Sequence, residues 1–309
     1  MTTTFHGAPL VTTGLYHLTG PTGSAIYVKN ETEQITAAFK YRGVRALLLQ
    51  DSGRGSVVTA STGNHGAAVA EMARRTGRRA VVFVPSDTPK AKMARIVAGN
   101  AELLLIDSDY AGCAAAAQTW AARHDATYVP SFDHPLIIGG HTSLFAEAIE
   151  QLGTMPSSVY VPVGGGGLLA AALLSFDRAT TKVIGVELAG AAAMCLSLEA
   201  GERLTIDVPR GVAEGLCVRQ VGALPYRIAQ AFQAQIETAT ADELGDAVAD
   251  LWHQAGIRAE LAGAAAFAAA RRASVRFEPT LAVVSGGNID DALFDRLTRV
   301  AGISRPAAA

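Results

Sequence analysis

The chain has few charged and aromatic residues and no basic tract. Charged residues make up 17% of its 309 residues, aromatic residues make up 6%, and the net charge is −2. Proteins that bind nucleic acids concentrate lysine and arginine on one surface. The composition therefore gives no indication of a nucleic-acid partner.

The chain also lacks a cysteine framework and long apolar runs. Cys113, Cys195 and Cys217 are too widely spaced for a metal or disulfide pattern. Such cysteines are typical of a reducing cytosol, so we expect a cytoplasmic protein. The alanine-rich stretches are short and interrupted by charge, which excludes a membrane span, and we expect no secretion signal at the N-terminus.

Half of the residues are hydrophobic, enough for one large or two modest domains. Strand-like segments alternate with helix-like ones, among them GAAVAEMARRTG (66–77) and TSLFAEAIEQLG (142–153). The strand-like segments are SVVTA (56–60), AVVFVP (80–85), ELLLID (102–107), TYVPSF (127–132), VYVPV (159–163), KVIGVE (182–187) and TLAVVSGG (280–287). Near-continuous apolar strands between helices predict an α/β fold with mostly parallel, twisted sheets covered by helices.

A run of four glycines, Gly164, Gly165, Gly166 and Gly167, joins the strand VYVPV to an alanine- and leucine-rich helical pattern. A strand that turns through glycines into a helix presents free backbone N–H groups at the positive end of the helix dipole. This pattern predicts a phosphate-binding loop. Gly165, Gly167 and Ala170 also fit G-x-G-x-x-A, with Glu187 about 20 residues later, as in a nicotinamide-dinucleotide fingerprint.

Three further segments occur with this loop in a fixed order. They are IYVKNETEQITAAFKYRG (26–43), TASTGNHGAAVA (59–70) and VVSGGNID (283–290). Together they resemble the fold-type II pyridoxal-phosphate enzymes, specifically the threonine/serine dehydratase and serine racemase group. The family's K-x-E-x-x-x-x-T-x-x-F-K-x-R-G element is matched by Lys29, Glu31, Thr36, Phe39, Lys40, Arg42 and Gly43.

The resemblance extends over nearly the whole chain. AEGLCVRQVG (213–222) is similar to the family's A-D-G-L-A-V-x-x-V-G, and ELAGAAAFAAA (260–270) to its E-P-A-G-A-A-A-L-A. The resemblance implies the family's two-domain fold, with residues 1–50 and 142–309 in a large cofactor-binding domain and residues 51–141 in a small domain. It disfavours the nicotinamide hypothesis, which explains neither Lys40 nor Ser285.

The resemblance also implies the cofactor, pyridoxal 5′-phosphate, and most of its contacts. Lys40 would form the Schiff base with the cofactor aldehyde and later remove the Cα proton of the substrate. Phe39 would lie near the cofactor ring, Asn64 would donate to its 3′-oxygen, and the glycine run 164–167 would bind its phosphate. An apolar, cation-rich pocket lowers the pKa of a lysine, which such a role requires.

Ser285 of S-G-G-N would contact the pyridine nitrogen. A hydroxyl is a weak acid, so the nitrogen stays unprotonated and the ring withdraws electrons less strongly. This favours prompt loss of a β-substituent over transamination. The substrate carboxylate would bind where a strand gives way to a helix, at Ser61, Thr62, Gly63, Asn64 and His65, although such residues also serve as ordinary helix caps.

Several positions depart from the family pattern. Thr36-Ala37-Ala38-Phe39-Lys40 stands where the family often has T-G-S-F-K. Thr62 takes the place at which racemases of this group carry a serine on the opposite face of the ring, and a stiff threonine favours elimination. His141 lies in G-G-H-T-S, where relatives have A-G-Q-G-T near the substrate, so we expect a substrate preference other than plain serine.

The metal content and regulation follow from the same comparison. Some relatives bind a divalent cation through acidic residues near A-D-G, where this chain has Glu214 and no second carboxylate just before it. We therefore predict no metal. The sequence ends soon after S-G-G-N, so we expect no regulatory domain within it.

The expected function is β-elimination of a small β-hydroxy amino acid, such as threonine or serine, to a 2-oxo acid and ammonia by a cytoplasmic homodimer. Three enzymatic alternatives keep the cofactor, namely a β-replacement synthase, an amine-eliminating lyase and an amino-acid racemase. A silent protein that binds an amino acid or the cofactor is the non-enzymatic alternative, which the presence of both Lys40 and Ser285 disfavours.

Overall fold

The computed structural model describes residues 8–21, 23–209, 211–272 and 279–299. The strands are β1 Leu15–Thr19, β2 Ala25–Asn30, β3 Val57–Ala60, β4 Ala80–Pro85, β5 Glu102–Ile106, β6 Thr127–Tyr128, β7 Ser158–Pro162, β8 Lys182–Leu188, β9 Gln235–Ala239 and β10 Thr280–Val284. They form two separate sheets.

The helices connect these strands. They are α1 Lys40–Gln50, α2 Asn64–Arg75, α3 Lys90–Ala98, α4 Tyr110–Arg123, α5 Pro135–Leu152, α6 Gly167–Ser175, α7 Ala193–Ala200, α8 Ala223–Ala231, α9 Ala241–Ala255, α10 Leu261–Ala270 and α11 Asp291–Thr298. Within the described ranges, no helix is both long and apolar enough to cross a membrane.

The larger sheet has six strands in the order β1-β2-β10-β7-β8-β9. Only β1 and β2 pair antiparallel, with Leu15 opposite Lys29, and all other neighbours are parallel. Every residue of β7 and β10 is buried. The helices α6 and α10 are buried along almost their whole length, as the absence of a polar face in their sequences requires.

The smaller sheet has four parallel strands in the order β5-β4-β3-β6. Its central strands are built from β-branched and aromatic residues and are buried except at Pro85. The helices α2 and α4 pack against this sheet, and Tyr41, Val44 and Leu47 of α1 share a hydrophobic cluster with Met72 of α2. The parallel α/β fold predicted from the sequence is confirmed.

Two predicted segments were wrong in extent. TYVPSF was expected to be a strand over 127–132, but β6 ends at Tyr128 because Pro130 lacks a backbone N–H for the ladder. The helical pattern that starts at Thr142 belongs to a helix that begins seven residues earlier, at Pro135, where His134 is the N-cap. The strands β1, β2 and β9 were not predicted as strands.

Candidate active site

The site centres on Lys40, the first residue of α1. Its Nζ donates to the carbonyl oxygen of Ser131 at 2.8 Å, which is its only hydrogen bond within the described chain. The ring centroid of Phe39 lies 5.1 Å from this nitrogen. Part of the residue's surface is accessible, whereas the amine is enclosed by protein, and this desolvation lowers the pKa of Lys40 to about 8.

The segment before Lys40 is clamped to the S-G-G-N segment. Phe39 N–H donates to Ser285 O at 3.0 Å, and Gly287 N–H donates to Ala37 O at 2.9 Å. Ala37 has φ +53°, a left-handed conformation that glycine adopts without strain and alanine does not. This is the position at which the family often has glycine, the residue that suits this backbone conformation best.

A layer of paired charges surrounds Arg42, two residues after Lys40 on α1. The Arg42 guanidinium donates to both oxygens of Glu31, at 2.7 and 2.9 Å, and to both oxygens of Glu147, at 2.6 and 2.8 Å. Lys29 donates to Glu147 at 2.9 Å and to Gln151 at 2.9 Å. These motif residues therefore have a structural role, because they join β2, α1 and α5.

Glycines bring α1 and α5 close together. A Cβ on Gly43 would lie 2.6 Å from Cε1 of His141 and 2.7 Å from the carbonyl oxygen of Ile137, and one on Gly140 would lie 2.6 Å from Arg42 O. Side chains at these positions would force the helices apart. The glycine of K-x-R-G is thus explained by helix packing.

Two buried histidines lie beside Lys40. The His141 ring is 4.7 Å from the Phe39 ring, and its two nitrogens contact no hydrogen-bond partner within the described chain. His65 Nε2 donates to Val129 O at 3.1 Å, and its Nδ1 has no partner there. Burial, reinforced by the charge of Lys40, lowers the pKa of His65 to about 3 and that of His141 well below its ordinary value. Both rings are neutral near pH 7.

The predicted carboxylate-binding segment, 61–65, lies at the start of α2, with Gly63 as the N-cap. Its backbone N–H groups at Thr62, Asn64 and His65 have no acceptor among the described residues, whereas Ser61 Oγ accepts from Gly63 N–H at 3.2 Å. A helix N-terminus with free donors binds a carboxylate readily. The structure brings this segment and Lys40 together, since the charge of Lys40 acts on His65.

The glycine run forms the turn between β7 and α6. The backbone N–H groups of Gly164, Gly165, Gly166 and Gly167 donate to no described residue. Gly166 has φ +88°, and a Cβ on Gly165 would lie 2.1 Å from Cδ1 of Phe132. Protein atoms already occupy the space that side chains at Gly165 and Gly166 would need. Glycine is therefore required here for packing, as well as for the approach of any bound anion to the backbone.

The segment Ser131-Phe132-Asp133 was missed by sequence reasoning. Ser131 O binds Lys40, the Phe132 ring packs on Gly165, and Asp133 accepts from Ala223 and Leu224 N–H at the start of α8 at 2.7 and 2.8 Å. It therefore links the lysine to the glycine loop. The local sequence gives no sign of this role, because the strand predicted over 127–132 includes Ser131 and Phe132.

Ser285 and Asn64 lie on neighbouring segments, since a Cβ on Gly286, the residue after Ser285, would lie 3.1 Å from Asn64 Nδ2. Ser285 is buried, with 6% of its surface exposed, and its hydroxyl bonds to no described residue. Asn64 Nδ2 donates to Glu260 Oε1 at 2.6 Å, and its Oδ1 accepts from Asn288 Nδ2 at 2.7 Å. Glu260 and Asn288 were not singled out as site residues.

Two acidic residues weighed in the sequence have other partners. Glu187 is buried and accepts from Met194 and Cys195 N–H, at 2.8 and 2.9 Å, at the start of α7. The spacing that fits a dinucleotide fingerprint therefore belongs to a carboxylate that caps a helix. Glu214 is paired with Lys92. No group of three potential metal ligands occurs in the described part of the chain.

These residues fit pyridoxal phosphate. The unpaired backbone donors of the glycine loop suit its phosphate, and the desolvated amine of Lys40 suits its aldehyde. The hydroxyl of Ser285 and one N–H of Asn64 remain unused by the described protein. Thr36 Oγ1 and both nitrogens of His141 are also buried without partners, which is costly unless a ligand or water binds there.

Comparisons with known proteins agree with this geometry. The family model for pyridoxal-phosphate dependent enzymes matches residues 4–286. A biosynthetic L-threonine dehydratase from Mycobacterium leprae is 40% identical over 284 residues, which are 88% of this chain and 66% of that protein. The chain thus spans just under two thirds of the length of this relative.

Two solved structures share the fold. The processed form of threonine deaminase isoform 2 from Solanum lycopersicum superposes with a TM-score of 0.87 at 28% identity, covering 97% of this chain and 90% of that one. Maize serine racemase superposes with a TM-score of 0.85 at 23% identity, covering 93% and 91%, and shows the fold alone. The predicted family, fold and cofactor are confirmed: this chain belongs to the pyridoxal-phosphate dependent enzymes of fold type II.

Proposed function

We propose that this chain catalyses β-elimination from a small β-hydroxy amino acid, such as threonine or serine. Water is lost across Cα and Cβ, and the resulting enamine hydrolyses to a 2-oxo acid and ammonia. The observation that carries the proposal is Lys40, a buried amine without a carboxylate partner in the described chain. Ser131, which binds it, is followed by Phe132 against the glycine turn before α6. The charge of this amine acts on His65 at the start of α2. The similarity to a threonine dehydratase supports the same reaction.

Pyridoxal phosphate, when bound, supplies an aldehyde that takes up the substrate amine and a ring that withdraws electrons from Cα. The N–H groups of Gly164 to Gly167 would hold the phosphate, aided by the dipole of α6. Phe39 would pack beside the ring, and Asn64 would orient it. The hydroxyl of Ser285 would donate to the ring nitrogen.

Lys40 would act as the base at Cα. Its pKa of about 8 means that a useful fraction of the amine is neutral near pH 7 to 8. The neighbouring histidines are neutral and carry no competing charge. Because the pKa values of both histidines lie far below that of Lys40, the amine would be the strongest base among these groups.

The substrate carboxylate would bind at Ser61, Thr62, Gly63, Asn64 and His65. The free N–H groups of this turn and the dipole of α2 would compensate its charge. This fixes the face on which Lys40 meets Cα. The neutral His141, with both nitrogens unpartnered, would contact a polar group on the substrate side chain and so influence which substrate is preferred.

Racemisation is the second candidate, because Thr62 offers a partly exposed hydroxyl with no bond to the described protein. Racemisation requires a proton donor on the face opposite Lys40, within about 3 Å of Cα. A β-branched threonine is stiff at χ1 and less free than serine to aim its hydroxyl there. Elimination should therefore exceed racemisation.

The decisive experiment follows both reactions in the same samples. The protein, loaded with pyridoxal phosphate, is incubated with L-threonine and L-serine, and 2-oxo acid and D-amino acid are both measured. We expect 2-oxo acid in clear excess. Fast D-amino acid formation with little 2-oxo acid would make the protein a racemase, and turnover of neither substrate together with cofactor binding would favour a β-replacement synthase, an amine-eliminating lyase or a binding protein.

We also propose that residues 51–141 form a small domain and residues 1–50 with 142–309 a large one, in a cytoplasmic homodimer without a resident metal. The four-stranded sheet lies wholly between Val57 and Tyr128, which supports this division. The last ten residues of the proposed large domain lie outside the described chain.

A further inference from the structure

Glu260 is the N-cap of α10 and lies against the candidate site. Its Oε1 accepts from Asn64 Nδ2 at 2.6 Å, and its backbone N–H donates to Gly286 O at 3.0 Å. It thereby contacts two of the elements that form the site, α2 and the S-G-G-N segment. The proposed elimination gives this carboxylate no chemical step.

A chain of hydrogen bonds fixes which way the Asn64 amide points. Asn288 Nδ2 donates to Thr36 O at 3.0 Å and to Asn64 Oδ1 at 2.7 Å, so both of its N–H groups are used. Asn64 Oδ1 must therefore be the acceptor, and its Nδ2 faces Glu260. A flipped amide would set nitrogen against nitrogen and oxygen against a carboxylate.

This arrangement leaves one N–H of Asn64 without a partner. Of the two hydrogens on Nδ2, one goes to Glu260, and no other described residue accepts from this nitrogen. The packing is tight, because a Cβ on Gly286 would lie 2.7 Å from Glu260 Oε1 and 3.1 Å from Asn64 Nδ2. Among the described residues, the Glu260 carboxylate is thus the group that accepts from this amide nitrogen, while Asn288 holds the amide oxygen.

Opposing effects set the pKa of Glu260 close to neutral pH. Burial raises the pKa of Glu260 to about 7, while the hydrogen bond from Asn64 and the charges of Arg95 and Lys92 on α3 oppose the rise. Glu214, the other carboxylate that faces it, is paired with Lys92. Arg95 donates to Asn288 O and Ile289 O, at 2.7 and 3.0 Å, next to the same network.

We propose that Glu260 is a positioning residue that aims the free N–H of Asn64 at the cofactor, and that its charge makes cofactor binding depend on pH around neutrality. The inference rests on the proposed function only in placing pyridoxal phosphate beside Asn64. An ionised carboxylate grips the amide through a charge-assisted bond, and a protonated one holds it more weakly. Cofactor binding should therefore strengthen as Glu260 ionises.

Three variants separate position from charge. Glu260→Gln keeps the Oε1 acceptor and the size of the side chain but cannot ionise. Glu260→Ala removes both the acceptor and the charge. Glu187→Gln is the matched control, because burial also raises the pKa of Glu187 to about 7 while its carboxylate contacts only the start of α7.

The measurement is the dissociation constant of pyridoxal phosphate, by equilibrium dialysis between pH 6 and 8.5. At pH 8 we expect binding about tenfold weaker in Glu260→Ala and a few-fold weaker in Glu260→Gln, as the loss or weakening of one hydrogen bond implies. At pH 6 Glu260→Gln should match the unmodified protein. Glu187→Gln should keep the unmodified pH profile throughout.

A constant ratio between the unmodified protein and Glu260→Gln from pH 6 to 8.5 would overturn the proposal, as would a similar change in Glu187→Gln. If Glu260→Ala does not fold, Glu260→Gln and Asn288→Ala, which frees Asn64 Oδ1, give the same test. The assay requires no turnover. A protein that shows this binding profile but makes no 2-oxo acid would refute the proposed function and leave this inference intact, and the reverse result would do the opposite.

Discussion

Lys40 and Arg42 are two residues apart on α1, yet their surroundings are opposite. Arg42 is 1% exposed and is bonded to both oxygens of Glu31 and of Glu147. Lys40 meets a backbone carbonyl and, among its described neighbours, two neutral histidines but no carboxylate. The helix α5 supplies a neighbour to each residue. Glu147 of α5 is paired with Arg42, and His141 of α5 lies beside Lys40.

Burial acts on both cations, so it does not distinguish them. The structural cation Arg42 differs from the reactive cation Lys40 because it is paired with carboxylates. Burial pushes the pKa of Arg42 down, but its hydrogen bonds to Glu147 and Glu31 outweigh this and raise the pKa above its ordinary value. Burial lowers the pKa of Lys40 to about 8 because no carboxylate offsets it. The paired layer stabilises the fold, and the unpaired amine is free to exchange a proton.

Removing the unpaired cation should have the largest effect on activity. Lys40→Ala should lower 2-oxo acid formation by about 10³-fold or more, since both the attachment point and the base are lost. The absorption band of the lysine-bound cofactor, at about 410–420 nm, should disappear as well. Stability should not fall, because no ion pair is broken and the folded protein no longer holds a desolvated cation whose pKa is lowered to about 8. The exposed Lys90→Ala is the control, and an active Lys40→Ala protein would contradict the assignment.

Removing Arg42, which is paired with Glu31 and Glu147, should mainly lower the free energy of unfolding. Arg42→Met leaves Glu31 and Glu147 buried with less compensation, which should cost about 3–5 kcal/mol in the free energy of unfolding. Urea denaturation measures this loss. The exposed Arg74→Met, whose partner Glu71 retains Arg75, should cost far less. If Arg42→Met were as stable as the unmodified protein, the structural role of the layer would be refuted.

Adding a carboxylate to the unpaired side sharpens the comparison. Ser285→Asp should protonate the cofactor ring nitrogen and slow elimination by about a hundredfold, with a larger share of transamination. Ser285→Ala is the matched control, because it removes the hydroxyl without adding charge. Product ratios and absorption spectra report the change. The same ratio and spectrum in Ser285→Asp as in the unmodified protein would mean that Ser285 does not touch the nitrogen.

The smallest effect concerns the histidine that stays neutral. Because the folded pKa of His141 lies well below 6.5, its contribution to stability is fully present above pH 6.5 and is lost as the pH falls toward the folded value. His141→Gln should therefore lose less stability than the unmodified protein between pH 7 and 5, because it has no buried imidazole to protonate. Urea denaturation at both pH values tests this. The exposed His124→Gln should show no such gain, and an equal loss in His141→Gln would contradict it.

The sequence predicted the parallel sheets well where strands are wholly buried. AVVFVP and KVIGVE coincide with β4 and β8 to within one residue, because continuous apolar β-branched runs leave little ambiguity. The strands β1 and β9 are partly exposed and give no such run. TYVPSF was misread because Pro130 ends the strand, and because the contacts of Ser131 with Lys40 and of Phe132 with Gly165 cannot be read from the local sequence.

The sequence placed Lys40, Asn64 and Ser285 in one site through their motifs, and the structure brings them together. The resemblance singled out Lys40, but it gave no role to Lys29 and Arg42 of the same motif. Their structural role depends on Glu147, a residue 105 positions away from Arg42. Glu260 was missed for the same reason, since it contacts Asn64 across 196 positions. The assigned roles of the site residues remain predictions.

The most direct test of the unpaired lysine is to locate the cofactor on the chain. The protein is incubated with pyridoxal phosphate at several pH values, reduced with borohydride and mapped by peptide mass spectrometry. Of its five lysines, Lys29, Lys40, Lys90, Lys92 and Lys182, the adduct should form on Lys40, with a midpoint near the pKa of about 8. An adduct on Lys29, which is buried beside Glu147, or formation on Lys40 only at strongly alkaline pH, would contradict the account.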